Sequence, residues 1–128
     1  MTKRPTVAIV GASSDRSKFG NKAVRAHLKQ GYEVFPINPK GGQIEGLPAY
    51  ASLDDLPVDS LDRVSFYVPP SVGITLMAQV AAKQPREFFL NPGTESTEFV
   101  QAAEAAGLNP LQACSIVDLG ESPGDYSA

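Results

Sequence analysis

Four segments of this chain combine residues that let a backbone approach a ligand. They are Gly11-Ala12-Ser13-Ser14, running on to Lys18-Phe19-Gly20-Asn21; Asn38-Pro39-Lys40-Gly41-Gly42; Val68-Pro69-Pro70-Ser71; and Asn91-Pro92-Gly93-Thr94. The first suits an anion. Gly11 permits a tight turn, Ser13 and Ser14 bring hydroxyl donors, and Lys18 brings a point charge. Free N–H groups and the positive dipole end at a helix start favour a phosphate by roughly 0.3–1 kcal/mol for the dipole alone. The segment is not G-x-G-x-x-G: Ser13 holds the second glycine position, and the next glycine, Gly20, comes nine residues after Gly11. An ordinary β-to-α turn is the alternative reading.

The second segment discriminates between nucleotide cofactors. A NAD site places an Asp or Glu at the end of the second strand, to accept from the ribose hydroxyls. Here that end carries Asn38, and the next charge is Lys40. A cation in place of an acid favours a ribose bearing an extra phosphate, as in NADP or coenzyme A. An exposed loop lysine is the plainer reading of Lys40.

Catalytic machinery is not legible. His27 falls in the middle of a helix, away from the strand ends, and Cys114 reads as a small buried apolar residue near the end of the last strand. Asp118 and Glu121 have no identifiable partner. No Ser-His-Asp set, acid pair or metal cluster assembles, so no catalytic or metal-ligating residue is assigned. Tyr50, Phe66, Tyr67 and Phe88 read as core side chains rather than stacking platforms.

These loops need elements to position them. Thr6 to Val10 is a short β-branched run ending at Gly11, a buried-strand pattern. Helical spacing follows from about Gly20 to Gln30, with Phe19, Ala23, Val24, His27 and Leu28 toward one side and Gly31 as the stop. Strands are expected at Glu33–Asn38, Arg63–Val68, Glu87–Leu90 and Leu111–Val117. One helical turn is expected over Ser52–Leu56. A helix capped by Ser71 should run to about Lys83, and another, favoured at its start by Glu95 and Glu98, should end at Gly107. Alternating strands and helices predict an α/β fold: a single Rossmann-like, doubly wound domain over residues 1–128, with a five-stranded, mainly parallel sheet and a loose tail at 121–128. In such sheets ligands lie at the carboxyl ends of the strands, where the four segments fall.

Composition sets the outer limits. A chain of 128 residues that is 42% hydrophobic and 20% charged can build one core without staples and is not disordered. No apolar run approaches the ~18 residues of a membrane span. A single cysteine makes no disulfide framework, which points to a reducing, cytoplasmic compartment. The net charge of −3 hides an asymmetry: Lys3 to Lys40 holds eight basic and two acidic residues, and the rest of the chain is acidic. A basic third on an acidic protein suggests a locally bound anion rather than nucleic acid. A solvated helix face bearing Lys22, Arg25 and Lys29 is the alternative.

The same residues resemble a known family. Gly11-Ala12-Ser13, Lys18-Phe19-Gly20-Asn21-Lys22, Gly31-Tyr32, Pro36-Ile37-Asn38-Pro39, Gly46, Ser52-Leu53, Val68-Pro69-Pro70, Asn91-Pro92-Gly93 and Cys114 are similar to the stand-alone bacterial CoA-binding domains. The likeness extends to the N-terminal CoA-binding domain of the succinyl-CoA synthetase alpha subunit and of related ADP-forming acyl-CoA synthetases. It covers about Thr6 to Leu119. It departs in the fourth strand, where Phe88-Phe89 stands in place of a frequent Trp, and just before it, where Gln84-Pro85-Arg86 replaces a frequent Gly.

The resemblance implies coenzyme A bound through its 3′-phospho-ADP part. Gly11, Ala12, Ser13, Ser14 and Lys18 would hold phosphates. Asn38, Pro39 and Lys40 would lie by the ribose and its phosphate. Val68, Pro69 and Pro70 would wall the adenine or the start of the pantetheine arm, and Asn91, Pro92 and Gly93 would close the far side. The synthetases' phosphohistidine lies in a second domain, so the expectation is a non-catalytic binder of CoA or an acyl-CoA, without nucleic-acid or membrane partners. Homodimerisation fits the family. The alternatives are a partner subunit of a split acyl-CoA synthetase and a small NADP-linked oxidoreductase.

Overall fold

Val7 and Ile9 alternate with Ala8 and Val10 along the first strand, and all four are buried. A strand apolar on both faces must lie inside a sheet covered on both sides. This is its position in the computed structural model, which describes residues 4–127. Lys3 of the basic segment and Ala128 of the expected tail lie outside that range.

Strand β1 (Thr6–Val10) leads through a loop to helix α1 (Phe19–Lys29) and then strand β2 (Glu33–Ile37). A small antiparallel hairpin follows, β3 (Gln43–Ile44) and β4 (Leu47–Pro48), then a 3-10 turn at Leu53–Asp55. Strand β5 (Arg63–Phe66) precedes the short helices α2 (Pro70–Gly73) and α3 (Met77–Ala82). Strand β6 (Glu87–Leu90), helix α4 (Thr97–Ala105), strand β7 (Pro110–Leu111), helix α5 (Ser115–Asp118) and a 3-10 turn at Pro123–Asp125 complete the order. The main sheet runs β2-β1-β5-β6-β7, and every pairing in it is parallel.

Two cores follow from the alternation. Val7, Ile9 and Val34 pack with Ala23, Val24 and Ala26 of α1 and with Ile116 of α5. Ala8, Val10, Val64, Phe66 and Phe88 face the other way, toward Met77, Val80, Phe99 and Ala103. Phe66 meets Phe88 edge-on at 5.0 Å between ring centres, a geometry aromatic pairs favour.

Several expectations are corrected. Of the expected strand Leu111–Val117 only Leu111, with Pro110 before it, pairs with β6, and Ser115–Asp118 is helical. The decisive spacing is that of Ile116 and, just beyond Leu111–Val117, Leu119, three apart, which puts both against the α1 core. Cys114 therefore precedes a helical turn instead of ending a strand. Ser71 is not a cap: Pro69 holds that position and Pro70 is the first helical residue, where a missing N–H costs nothing. The expected 71–83 helix is also interrupted by a 3-10 turn at Ile74–Leu76. Phe19, expected on the same side of α1 as Ala23 and Val24, is 57% exposed while those two are buried.

The hairpin 43–48 follows the glycine-bearing segment that ends at Gly42 and has no counterpart among the expected strands. The expected loose tail makes definite contacts. Arg25 Nη1 donates to the Ser127 carbonyl, Gln30 and Tyr126 both donate to the Glu121 carboxylate, and the Arg25 guanidinium lies over the Tyr126 ring.

Candidate functional site

Strand β1 has β2 on one side and β5 on the other. The connection after β1 and the connection after β5 therefore leave in opposite directions and open a crevice between the carboxyl ends of these strands. This is the switch point at which open α/β sheets bind ligands. The structure has a cleft of about 400 Å³ there, lined by Gly11, Lys18, Phe19, Gly20, Tyr67, Val68, Pro69, Pro92, Gly93 and Thr94.

Two glycines make the crevice possible. Gly11 has φ +90°, and a side chain there would come within 2.5 Å of the Tyr67 carbonyl oxygen. A side chain at Gly20 would come within 2.2 Å of the Gly11 carbonyl oxygen. The helix start and the strand end touch backbone to backbone, so Gly20 does the packing work of a dinucleotide motif's last glycine at a different spacing. Across the cleft, the Thr94 N–H donates to the Asn91 carbonyl at 3.0 Å, and Gly93 has φ +90°. Pro92 then Gly93 is the residue pair that a type II turn requires.

The first loop is held from within. The N–H groups of Gly11 and Ala12 both donate to the Ile37 carbonyl, which removes them from any phosphate. Ser13 Oγ accepts from the Asp15 N–H, and the Asp15 carboxylate accepts from the Ser17 N–H and hydroxyl. Those bonds hold the Asp15 carboxyl below its usual range. Buried Asn21 donates to the Ser13 carbonyl and to Glu45 of the hairpin. Among the described residues, none accepts from the N–H groups of Ser13 or Ser14.

Much of the basic charge is spent internally. Arg16 pairs with Glu45, Lys29 pairs with Glu121, and Arg25 donates to Asn21, Arg16 and Ser127. Lys22 lies over the Phe19 ring at 5.4 Å. Among the described residues, Lys18 and Lys40 form no salt bridge, and both are exposed beside the strand ends.

The predicted residues divide accordingly. Gly11, Lys18, Val68, Pro69, Pro92 and Gly93 line the cleft together. Pro70 starts α2 behind Pro69. Ala12 is buried beneath the loop, while Ser13 and Ser14 stand on its outer part. Asn38 is a brace: its Nδ2 donates to the Ala12 carbonyl and its Oδ1 accepts from the Lys40 N–H. It ties Pro39 and Lys40 to the first loop without lining the cleft. Asn91 lies buried under the floor, where Nδ2 donates to Ser65 Oγ and to the Phe66 carbonyl, and Oδ1 accepts from the Ser115 N–H.

Phe19, Gly20 and Thr94, which belong to the candidate segments but carry no assigned ligand role, also line the cleft, as does Tyr67, expected in the core. Gly20 could have been found, since a glycine in a first helical turn signals close approach. Tyr67 could not, because an aromatic residue closing a strand reads as core.

His27 and Arg63 form a separate buried cluster under α1. His27 Nδ1 donates to the Ala23 carbonyl at 2.8 Å, which leaves Nε2 to accept from Arg63 Nη1 at 3.4 Å. Burial lowers the His27 pKa to about 4. Arg63 also pairs with Glu87 and with Asp118, at 3.0 and 2.6 Å, and lies over the Phe89 ring. Every polar group of the cluster has a partner, which gives it a structural role. A second opening, of about 670 Å³, lies at the amino end of the sheet by Arg4, Tyr32, Asp62 and Glu87. It faces away from the switch point.

Comparison with known proteins adds to this geometry. The profile of a family described as "CoA binding domain" matches residues 5–120. The chain is 34% identical over 65 residues to the alpha subunit of an ADP-forming acetate–CoA ligase (II) from Pyrococcus furiosus, and 34% identical over 70 residues to that of ligase I. The match takes in about half of this chain, which spans only 14% and 15% of those relatives.

Among solved structures, a conserved hypothetical protein from Pyrococcus furiosus is 34% identical with a TM-score of 0.77, covering 91% of this chain and 99% of that one. A Thermus thermophilus protein is 33% identical with a TM-score of 0.80, covering 90% and 87%. The apo form of a dinucleotide-forming acetyl-coenzyme A synthetase from Ca. Korarchaeum cryptofilum is 27% identical with a TM-score of 0.70, covering 84% of this chain and 26% of that one.

Proposed function

Because this chain belongs to the CoA binding domain family, we propose that it binds coenzyme A or an acyl-CoA non-catalytically, through the 3′-phospho-ADP part, at the β1/β5 switch point. One observation carries the reading: in a chain matched by that family over residues 5–120, the cleft between β1 and β5 is edged by Gly11 and by Lys18, which forms no salt bridge among the described residues. The N–H groups of Ser13 and Ser14, with Lys18, meet the diphosphate. Asn38 holds Pro39 and Lys40 in place, and Lys40 meets the 3′-phosphate. Val68, Pro69 and Pro70 wall the adenine or the pantetheine arm, and Pro92 and Gly93, set by buried Asn91, close the far side. Gly11 and Ala12 shape the loop instead of donating to phosphate, since their N–H groups are bound to Ile37.

Amide chemical shifts test the placement. Adding CoA to isotopically labelled protein should move Ser13, Ser14, Val68 and Gly93, and leave Tyr32 and Glu87 at the opposite end unchanged. The reverse pattern would place the ligand in the amino-end opening.

A second reading is supported by the names of the two Pyrococcus relatives, each an alpha subunit. In it, this domain presents CoA to a partner chain of a split acyl-CoA synthetase. Co-purification with an ATP-grasp chain, and acyl-CoA formation only in the mixture, would support it.

A further inference from the structure

Three hydroxyl groups lie in a row under the cleft. Ser65 Oγ is 2.7 Å from Ser115 Oγ, and Ser115 Oγ is 3.1 Å from the Tyr67 hydroxyl. Asn91 fixes one end of this row. Its Oδ1 takes the Ser115 N–H and its Nδ2 gives its hydrogens to Ser65 Oγ and the Phe66 carbonyl, so the amide can have only this orientation.

The hydrogens can then be counted. Three hydroxyl hydrogens share two oxygen–oxygen contacts, and each contact uses one of them. One hydrogen therefore finds no acceptor within the network. Ser65 and Ser115 are 0% exposed, and a stranded donor at either would carry the full desolvation cost. Tyr67 is only partly buried and lines the cleft. The economical arrangement runs Asn91 to Ser65 to Ser115 to Tyr67, each donating to the next, with the phenol hydrogen left over.

We infer that Tyr67 is a ligand-binding residue whose phenol O–H, left without an acceptor by the Asn91–Ser65–Ser115 chain, donates to an oxygen of whatever crosses the β1/β5 crevice. The inference rests on the CoA reading. In that ligand the acceptor is a diphosphate oxygen or an amide carbonyl of the pantetheine arm. Burial raises the Tyr67 pKa to about 12, so the phenol keeps its hydrogen across the neutral range.

The test compares wild type, Tyr67→Phe and a protein carrying 3-fluorotyrosine at position 67, each titrated with CoA and with 3′-phospho-ADP. Tyr67→Phe should lower CoA affinity roughly tenfold, the size of one hydrogen bond to a charged or strongly polar oxygen. The fluorinated phenol, a stronger donor of nearly the same shape, should raise it. An equal loss for 3′-phospho-ADP assigns the acceptor to the diphosphate, and a loss confined to CoA assigns it to the pantetheine arm. Unchanged CoA affinity in Tyr67→Phe overturns the inference and leaves the CoA reading standing. So does a loss in Tyr67→Phe without a gain from fluorination, because shape alone would then be at work. A wild-type protein silent to CoA fails the underlying reading, and the inference with it.

Discussion

Lys18 and Lys40 separate from the other basic residues once their surroundings are known. In sequence, the run from Lys3 to Lys40 looks like one positive field. In the fold, Arg16, Arg25 and Lys29 are tied to Glu45, Asn21 and Glu121. Those partners are remote in sequence or hidden by helix geometry, so the charge count alone could not separate them. Lys40→Ala should weaken CoA more than dephospho-CoA, by roughly 10- to 150-fold for a charged hydrogen bond of about 1.5–3 kcal/mol. Lys18→Ala should weaken both equally, because both keep the diphosphate. Parallel calorimetric titrations check the pair, and an equal loss of both ligands in Lys40→Ala contradicts its assignment.

His27 gives a prediction at the same scale. Its pKa falls from 6.5 to about 4 on folding, chiefly through burial. Above pH 6.5 both states hold a neutral imidazole and the shift has no effect. As pH falls from 6.5 toward 4 the unfolded chain binds the proton first, so stability is lost across that window. At about 1.36 kcal/mol per unit the loss is on the order of 3 kcal/mol. Arg63 and Asp118 face the ring with opposite effects and do not reverse the sign. Urea denaturation at pH 7 and pH 4.5 should show a smaller difference between the two for His27→Gln than for wild type.

At the scale of elements, the strand–loop–helix unit β1–α1 carries the site, and Gly20 sets its closeness. Gly20→Ala would drive a methyl group into the Gly11 carbonyl, 2.2 Å away, and backbone cannot yield cheaply there. Overpacking of this kind costs about 1–3 kcal/mol, and the displaced Gly11 turn should lose ligand affinity as well. Gly31→Ala meets open space and is strained only by φ +86°. It should lower the unfolding midpoint while leaving CoA affinity unchanged. Loss of affinity in both variants would mean that general destabilisation, not the crevice, was being measured.

The first four strands of the main sheet were legible because their apolar runs are short, rich in β-branched or aromatic residues, and soon followed by glycine or proline. The last strand was not. Leu111 to Val117 is apolar enough for a strand, but Ile116 and Leu119 answer to a helix packing on α1, and only tertiary contact decides between the two periods. The 43–48 hairpin was missed because its strands are two residues each, too short to show alternation.

At the scale of the whole molecule, the strand order turns a list of loops into a site. The sequence placed four segments at the carboxyl ends of strands. It could not say that β5 sits beside β1, which brings Tyr67 and Val68 against Gly11. The order also protects the sheet edges. β7 offers only two residues, and Tyr50 covers β2 by exchanging hydrogen bonds with Pro36 and Asn38. Among the described residues no helix is long and apolar enough to cross a membrane.

The central claim, capture of a 3′-phosphorylated CoA nucleotide at the β1/β5 crevice, is tested most directly by calorimetric titration with CoA, dephospho-CoA, NADP and NAD in parallel. CoA should bind, dephospho-CoA should bind more weakly, and NAD and NADP should be silent. Preference for NADP would contradict the claim and make hydride transfer the next assay.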